Sequence, residues 1–344
     1  MSMPTFRRRP HIGRRAIGTG LLAALALSAG SGPAAAEGLS FLDPQGPVAA
    51  AQRDHFYAVI LLMLVVVVPV LIFTPLVAWR YRYRNHGARY APDWKFSWPL
   101  EALIWGVPVA VVVVLSVWIW QETHDLDPYA PLAADKSLRV EVIGYDWKWL
   151  FVYPDLHIAT MGVLGFPSDR SLDIRLTSAS VMQSFFIPAL GSQIYAMAGM
   201  RTKLHLKANR PGTFLGENTQ YNGKGFHDQK FRARAMTARG FTDWVKQVRA
   251  KGVPLDAKAY DVVRAKGGLT DVRRAVAGGS MPPGTVYFTD VSADLLANVM
   301  HQFNGGASSS EVIVSERSPA NDTALRSDAG HAASATGEPP AREE

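Results

Sequence analysis

Apolar and polar residues follow three different periods along this chain, and each period predicts a different kind of element. Near the amino terminus two runs are apolar without a break. Residues 56–79 (FYAVILLMLVVVVPVLIFTPLVAW) and 102–120 (ALIWGVPVAVVVVLSVWIW) contain no charged side chain. Each is close to the ~20 residues needed to cross a ~30 Å hydrocarbon core, so both are predicted to be transmembrane helices. Pro69, Pro75 and Pro108 would break a soluble helix, but a helix packed among partner helices tolerates them. Trp79, Trp98, Trp105, Trp118 and Trp120 fall mostly near the ends of the runs, where an interfacial belt belongs.

From about Leu138 to Met236 the period shortens towards two. The segments 138–145 (LRVEVIGY), 147–153 (WKWLFVY), 171–178 (SLDIRLTS) and 202–208 (TKLHLKA) are short and rich in β-branched and aromatic residues. Turn signals at Tyr153-Pro154-Asp155, Phe166-Pro167-Ser168-Asp169, Pro188, Gly191 and Pro211-Gly212 separate them. Short strands at this spacing predict an all-β sandwich or Greek-key barrel. Residues 239–304 turn helical, as in 241–250 (FTDWVKQVRA) and 292–303 (SADLLANVMHQF), with Thr242 or Asp243 and Ser292 as candidate N-caps. The tail 305–344, rich in Ala, Ser, Gly, Pro and charge, reads as disordered.

Charge adds a direction to this layout. The 344-residue chain has a formal net charge of +7, yet from residue 121 onward 25 Lys+Arg face 24 Asp+Glu. The basic excess sits instead at Arg7, Arg8, Arg9, Arg14 and Arg15, and in the link 80–99, which carries five Lys/Arg against Asp93. No basic face for nucleic acid is implied. A basic start, an apolar stretch near residues 16–29 and Ala34-Ala35-Ala36 predict a signal peptide over 1–36, with a retained anchor as the alternative. The Arg14-Arg15 pair is a partial match to a twin-arginine signal. The positive-inside rule puts the loop 80–101 in the cytoplasm, so the segment 37–55 and everything after residue 121 would lie on the periplasmic side of a bacterial inner membrane. Cysteine is absent, which excludes disulfides, thiolate metal sites and an amino-terminal lipid on Cys.

Five segments go beyond layout: 99–109 (PLEALIWGVPV), 123–128 (THDLDP), 146–154 (DWKWLFVYP), 180–200 (SVMQSFFIPALGSQIYAMAGM) and 209–214 (NRPGTF). Together they resemble subunit II of the haem–copper oxidases, in the quinol-oxidising, cytochrome bo branch, over roughly Phe41–Phe303. The resemblance implies a two-helix transmembrane hairpin, a periplasmic cupredoxin-like Greek-key barrel over 121–238 and a short helical carboxy-terminal extension. It also implies ligand positions. Relatives that oxidise cytochrome c hold a dinuclear copper centre on two Cys, two His, a Met and a backbone Glu. Those positions here are Asn218 and Asn222 (Cys), Gln183 and Phe226 (His), Gln229 (Met) and Gln220 (Glu). Amides and a phenyl ring cannot replace bridging thiolates, so no metal is expected on this chain. A different copper site on His205, His227 and nearby Met residues lacks ligand spacing, and Met182, Met197 and Met200 read as core and loop packing.

The same resemblance implies that Glu101, at the cytoplasmic start of the second span, serves the proton inlet of subunit I; an interfacial Glu at a helix start is the other reading. Trp147 and Trp149 match an aromatic segment that carries electrons in copper-bearing relatives, and with no copper expected they read as packing residues at the interface with subunit I. The implied complex is a proton-translocating ubiquinol:oxygen oxidoreductase. Haems and copper would sit in subunit I, and other small membrane subunits and the bilayer would be further partners. Quinol would arrive through the lipid, so cytochrome c is not an expected partner. The competing readings are an electron-accepting cytochrome c oxidase subunit and a membrane-tethered cupredoxin-like binding module with no oxidase partner.

Overall fold

The structure, a computed structural model, describes residues 42–85, 87, 95–132, 137–168, 170–191, 193–276 and 281–303. The signal peptide and tail expected at 1–36 and 305–344, and part of the basic link, lie outside the described residues.

Two long helices come first, α1 (Pro47–Arg80) and α2 (Trp98–Asp125). Both are apolar on every side, the mark of a helix surrounded by lipid or by partner helices rather than by water. Both are long and apolar enough to cross a membrane. The 34 residues of α1 span about 51 Å, so about 20 Å of helix exceeds the hydrocarbon thickness. The excess lies at its amino end, where it is fixed to the β domain. Gln45 N–H donates to Ala189 O (2.7 Å), Ala49 N–H to Leu190 O (3.2 Å), and Asn209 N–H to Gln45 O (2.8 Å). Arg210 Nε donates to Gln45 Oε1 at 2.5 Å, and Val48 and Ala49 are buried. The domain is therefore held to the helix by paired backbone groups and not by a loose linker.

The β domain is a sandwich of two sheets. Its strands are β1 (Leu138–Tyr145), β2 (Lys148–Tyr153), β3 (Ile158–Met161), β4 (Val163–Pro167), β5 (Leu172–Ser178), β6 (Gln183–Phe186), β7 (Gln193–Ala196), β8 (Thr202–Leu206), β9 (Gly212–Asn218) and β10 (Lys230–Met236). The carboxy-terminal region adds α3 (Ala238–Lys251), β11 (Val253–Pro254), α4 (Ala257–Arg264), α5 (Leu269–Val276), β12 (Val286–Thr289) and α6 (Leu295–Phe303). One sheet runs β11-β12-β3-β2-β1-β5-β8 and the other β4-β10-β9-β6-β7. The β1–β5, β4–β10 and β11–β12 pairs are parallel and the rest antiparallel. Aromatic rings from both sheets meet between them. Phe185 stacks on Phe231 at 5.1 Å, Trp149 meets Phe185 edge-on at 5.4 Å, and Phe151 lies 4.9 Å from Phe231.

Three expectations need correction. The first extension helix starts earlier than Thr242: its N-cap is Thr237, whose Oγ1 accepts from Gly240 N–H at 3.1 Å. The extension is not only helical, because β12 pairs antiparallel with β3 and extends the larger sheet. Met182 and Met200 are exposed rather than packed.

Burial also leaves one acid under tension. Glu141 on β1 is 7% exposed and stands in register with Arg175 on β5. Desolvation raises its pKa from 4.5 to about 7, against the pull of Arg175 and Arg139 and with a further push from Asp294. The folded pKa lies above the unfolded one. The stabilisation linked to this proton is therefore complete below pH 4.5 and lost as pH rises through 7. Glu141→Gln should be more stable than the parent at pH 7.5, by about 1–3 kcal/mol, and flatter between pH 4.5 and 7. Thermal unfolding of the detergent-solubilised chain across that range checks this; parallel pH profiles for the two proteins would refute it.

Candidate functional site

The sequence brings four of the six degenerate ligand positions to one place because β6 and β9 are neighbours and β9 returns as β10. Gln183 opens β6, Asn218 closes β9, and Gln229 immediately precedes β10. Asn222 lies on the loop that joins β9 to β10. Gln183, Asn218 and Gln229 are 0%, 4% and 1% exposed. Inside the sandwich their amides bond to one another. Gln229 Nε2 donates to Gln183 Oε1 (2.5 Å), while Gln229 Oε1 accepts from Asn218 Nδ2 (3.0 Å) and Asn222 Nδ2 (2.7 Å). Gln183 Nε2 donates to Tyr145 O and to Ser180 Oγ, both at 3.1 Å. Asn218 Oδ1 accepts from Ser184 N–H (2.9 Å) and Gln220 N–H (3.0 Å). Of the four amides only Asn222 retains a buried acceptor, Oδ1, without a partner.

The remaining two positions fall elsewhere. Gln220 takes part through its backbone: its N–H and its carbonyl both bond the Asn218 side chain. Phe226 stays out of the cluster and packs on Tyr221, ring centres 5.7 Å apart. The donor set does not fit a dinuclear copper centre. Amide nitrogens have no lone pair to offer, bridging thiolates are missing, and the acceptor oxygens of Gln183, Asn218 and Gln229 are already bonded. No group of three His, Cys, Asp or Glu suited to a metal occurs among the described residues. His205 faces Pro128 O (3.1 Å) and Asp173 (3.8 Å), whereas His227 is exposed beside Asp228, so the two share no partner.

The two tryptophans part company. Trp149 is 2% exposed in the aromatic core, so it cannot serve as an interface residue; strand alternation after Lys148 turns it inward. Trp147 is part-exposed in the two-residue turn between β1 and β2, with φ at +66°. A bulky side chain is seldom found there, and neighbours hold it in place. Its Nε1 donates to Asn222 O (3.3 Å), Lys266 Nζ lies 5.4 Å from the ring centre, and a Cβ on Gly225 would collide with the ring. Next to it, Lys148 is 3% exposed and donates to Ala265 O (2.7 Å) and Gly267 O (2.8 Å). Burial lowers its pKa from 10.5 to about 8. Sequence reading had missed this clamp; the one signal was a single Lys opening an otherwise apolar strand.

Glu101 stands in the first turn of α2, half-buried, and its Oε2 accepts from Trp105 Nε1 at 3.1 Å. The carboxylate is thus fixed along the helix side by an i,i+4 pair rather than turned back onto the free amides of the helix start.

Two helices long and apolar enough to cross a membrane thus precede a two-sheet β domain built around interlocked amides. No family model matches the chain. It is 46% identical over 230 residues to ubiquinol oxidase subunit 2 of Acetobacter aceti, covering 66% of this chain and 75% of that protein. It is 40% identical over 267 residues to cytochrome bo(3) ubiquinol oxidase subunit 2 of Pseudomonas aeruginosa, covering 77% and 76%. The chain belongs to the quinol oxidase subunit 2 family, whose members are parts of an oxidoreductase complex. Among solved structures, the periplasmic domain of subunit II of cytochrome oxidase of Bradyrhizobium japonicum is similar at 23% identity and a TM-score of 0.33, over 35% of this chain and 99% of that one.

The amide cluster makes a stability prediction. Gln229→Leu keeps the volume but leaves Gln183 Oε1 and the Asn222 amide without their partners. It should cost about 2–4 kcal/mol, since each buried unsatisfied group costs about 1–3 kcal/mol. A thermal midpoint within a degree of the parent's would show that the network is not cooperative.

Proposed function

We propose that this chain is the non-catalytic second subunit of a proton-translocating ubiquinol:oxygen oxidoreductase, with haems, copper and the quinol pocket in subunit I. One observation supports this most directly: the place where a copper carrier would hold its metal is occupied by amides that satisfy each other. A domain with no electron acceptor suits a donor that arrives dissolved in the lipid. No soluble electron carrier, cytochrome c included, then has to be oxidised on it.

The work left to the chain is structural and protonic. Val181 and Met182 directly precede Gln183, Tyr221 directly precedes Asn222, Met200 lies between β7 and β8, and all four are exposed, Tyr221 at 72%. Apolar side chains grouped in this way mark a protein–protein contact, and subunit I on the periplasmic side of the inner membrane is the proposed occupant. At the other end of α2, Glu101 would gather protons for the channel of subunit I, its carboxylate fixed by Trp105 and open to a neighbouring helix.

Two measurements test these roles separately. Glu101→Gln should slow oxygen reduction while haem content and subunit composition stay unchanged; unaltered turnover would exclude the inlet role. Met200→Glu with Tyr221→Glu places two charges in the exposed apolar group without touching the core. Haem recovered with the tagged chain should fall roughly tenfold, as for loss of interface anchors. Recovery of the unmodified chain alone and haem-free from gentle detergent would defeat the whole proposal.

A further inference from the structure

Strand β10 carries charge that the amide cluster does not use. Its alternation turns Phe231, Ala233 and Ala235 inward and sets Lys230, Arg232 and Arg234 outward on one face. Alternate residues on a strand stand about 6.8 Å apart, so the three cations form a row. The register with β9 puts Glu217, Leu215 and Thr213 opposite them. Glu217 forms no ion pair with Lys230, and none of the three cations has a carboxylate partner among the described residues. Exposed cations on the neighbouring helices are engaged instead: Lys246 with Asp243, Arg274 with Asp271, and Arg249 with Leu156 O.

The row lines a cavity of about 600 Å³. Its other walls come from the extension, namely Trp244 and Gln247 of α3 and the turn Pro282–Thr285 with Tyr287 of β12, and no Asp or Glu lines it. The wall opposite the strand is held close, because a Cβ on Gly162 would collide with Gly284 O. The indole N–H of Trp244, a residue only 3% exposed, is buried without a partner. A concave space with three unneutralised cations, the Thr213 hydroxyl, the Gln247 amide and aromatic walls is complementary to an anion with an attached apolar or planar part. Two guanidinium forks favour phosphate oxygens, which they can grip in bidentate fashion.

We infer that the cavity between β10 and the carboxy-terminal extension is a binding site for a phosphate-bearing anion, held by Lys230, Arg232 and Arg234. The phosphate could come from the headgroup of an anionic phospholipid or from a soluble oligophosphate. Either would tie the extension to the barrel, since one set of walls comes from each. The site shares no residue with the amide cluster, which lies on the inner side of the strand's start, or with Glu101, so it stands or falls independently of the proposed oxidase role.

The test uses the detergent-purified full-length chain, with whatever subunits accompany it, with Arg232→Gln plus Arg234→Gln as the variant and Arg274→Gln as a control for loss of surface charge. Binding of pyrophosphate is measured by calorimetry, and retention of phosphatidylglycerol over phosphatidylcholine by native mass spectrometry. For at least one of the two probes, the double variant should bind about tenfold more weakly or lose retention, and the control should match the parent. A pyrophosphate effect assigns a soluble ligand, and a phosphatidylglycerol effect assigns a lipid. Binding of neither probe by the parent, equal losses in variant and control, or binding of an acidic peptide alone would overturn the inference. A thermal midpoint for each protein separates lost binding from lost folding, and Arg232→Lys, which keeps the charge, should recover part of the affinity.

Discussion

A polar group taken out of water inside a β sandwich must find a partner there, and at the centre of this domain four amide side chains find one another. A buried donor or acceptor left unpaired costs more than a formed hydrogen bond returns, so the arrangement is close to all or none. Gln229 is its hub, giving protons through one atom and receiving them through the other, and it ties β6, the end of β9 and the β9–β10 loop to the carbonyl of Tyr145 on β1. A metal ion would close a loop by drawing its ligands inward. Here hydrogen bonds among uncharged amides perform that closure and keep the loop seated.

The same rule of satisfaction fixes the outer parts. Gln45 and Asn209 pair backbone to backbone, so α1 leaves the sandwich at a set angle and the domain is carried rigidly on the membrane helix. On the opposite side of the chain order, the extension binds by a strand pair, β12 on β3, and by Lys148, whose ammonium is capped by carbonyls of the α4–α5 link. The Tyr145 hydroxyl donates to the Tyr260 hydroxyl at 3.4 Å, and burial raises the pKa of both, which keeps each neutral. The extension is therefore part of the core and not an appendage.

How much of this was legible beforehand depended on where each residue's partners lie. The two helices are visible in sequence because lipid demands apolar side chains on every face, a local and unmistakable pattern. β1 was legible to the residue, 138–145, since its neighbours bury nearly every position. β10 was not, because its inward residues are small alanines and its outward ones arginines, a pattern that reads as a polar loop. β6 and β7 were hidden for another reason: each is four residues long and owes its pairing to partners distant in sequence. The ligand positions were legible one at a time through the resemblance. Their mutual bonding was not, since nothing in a Gln or Asn records which other amide it will meet. Trp149 was misjudged because every residue of β2 is buried, so no alternation within the strand marks surface from core.

Trp147 shows how these levels join. Its positive φ is imposed by the tight turn between β1 and β2, where Tyr145 and Lys148 pair directly. A glycine would relieve the backbone but would give up the ring, and the ring covers Gly225, donates to Asn222 O and receives Lys266 from the extension. The strained turn is thus retained because one side chain there touches the amide loop and the extension at once. The ring, the amide loop and the extension therefore hold one another in place, and the strain of the turn is offset by contacts that no smaller side chain could make.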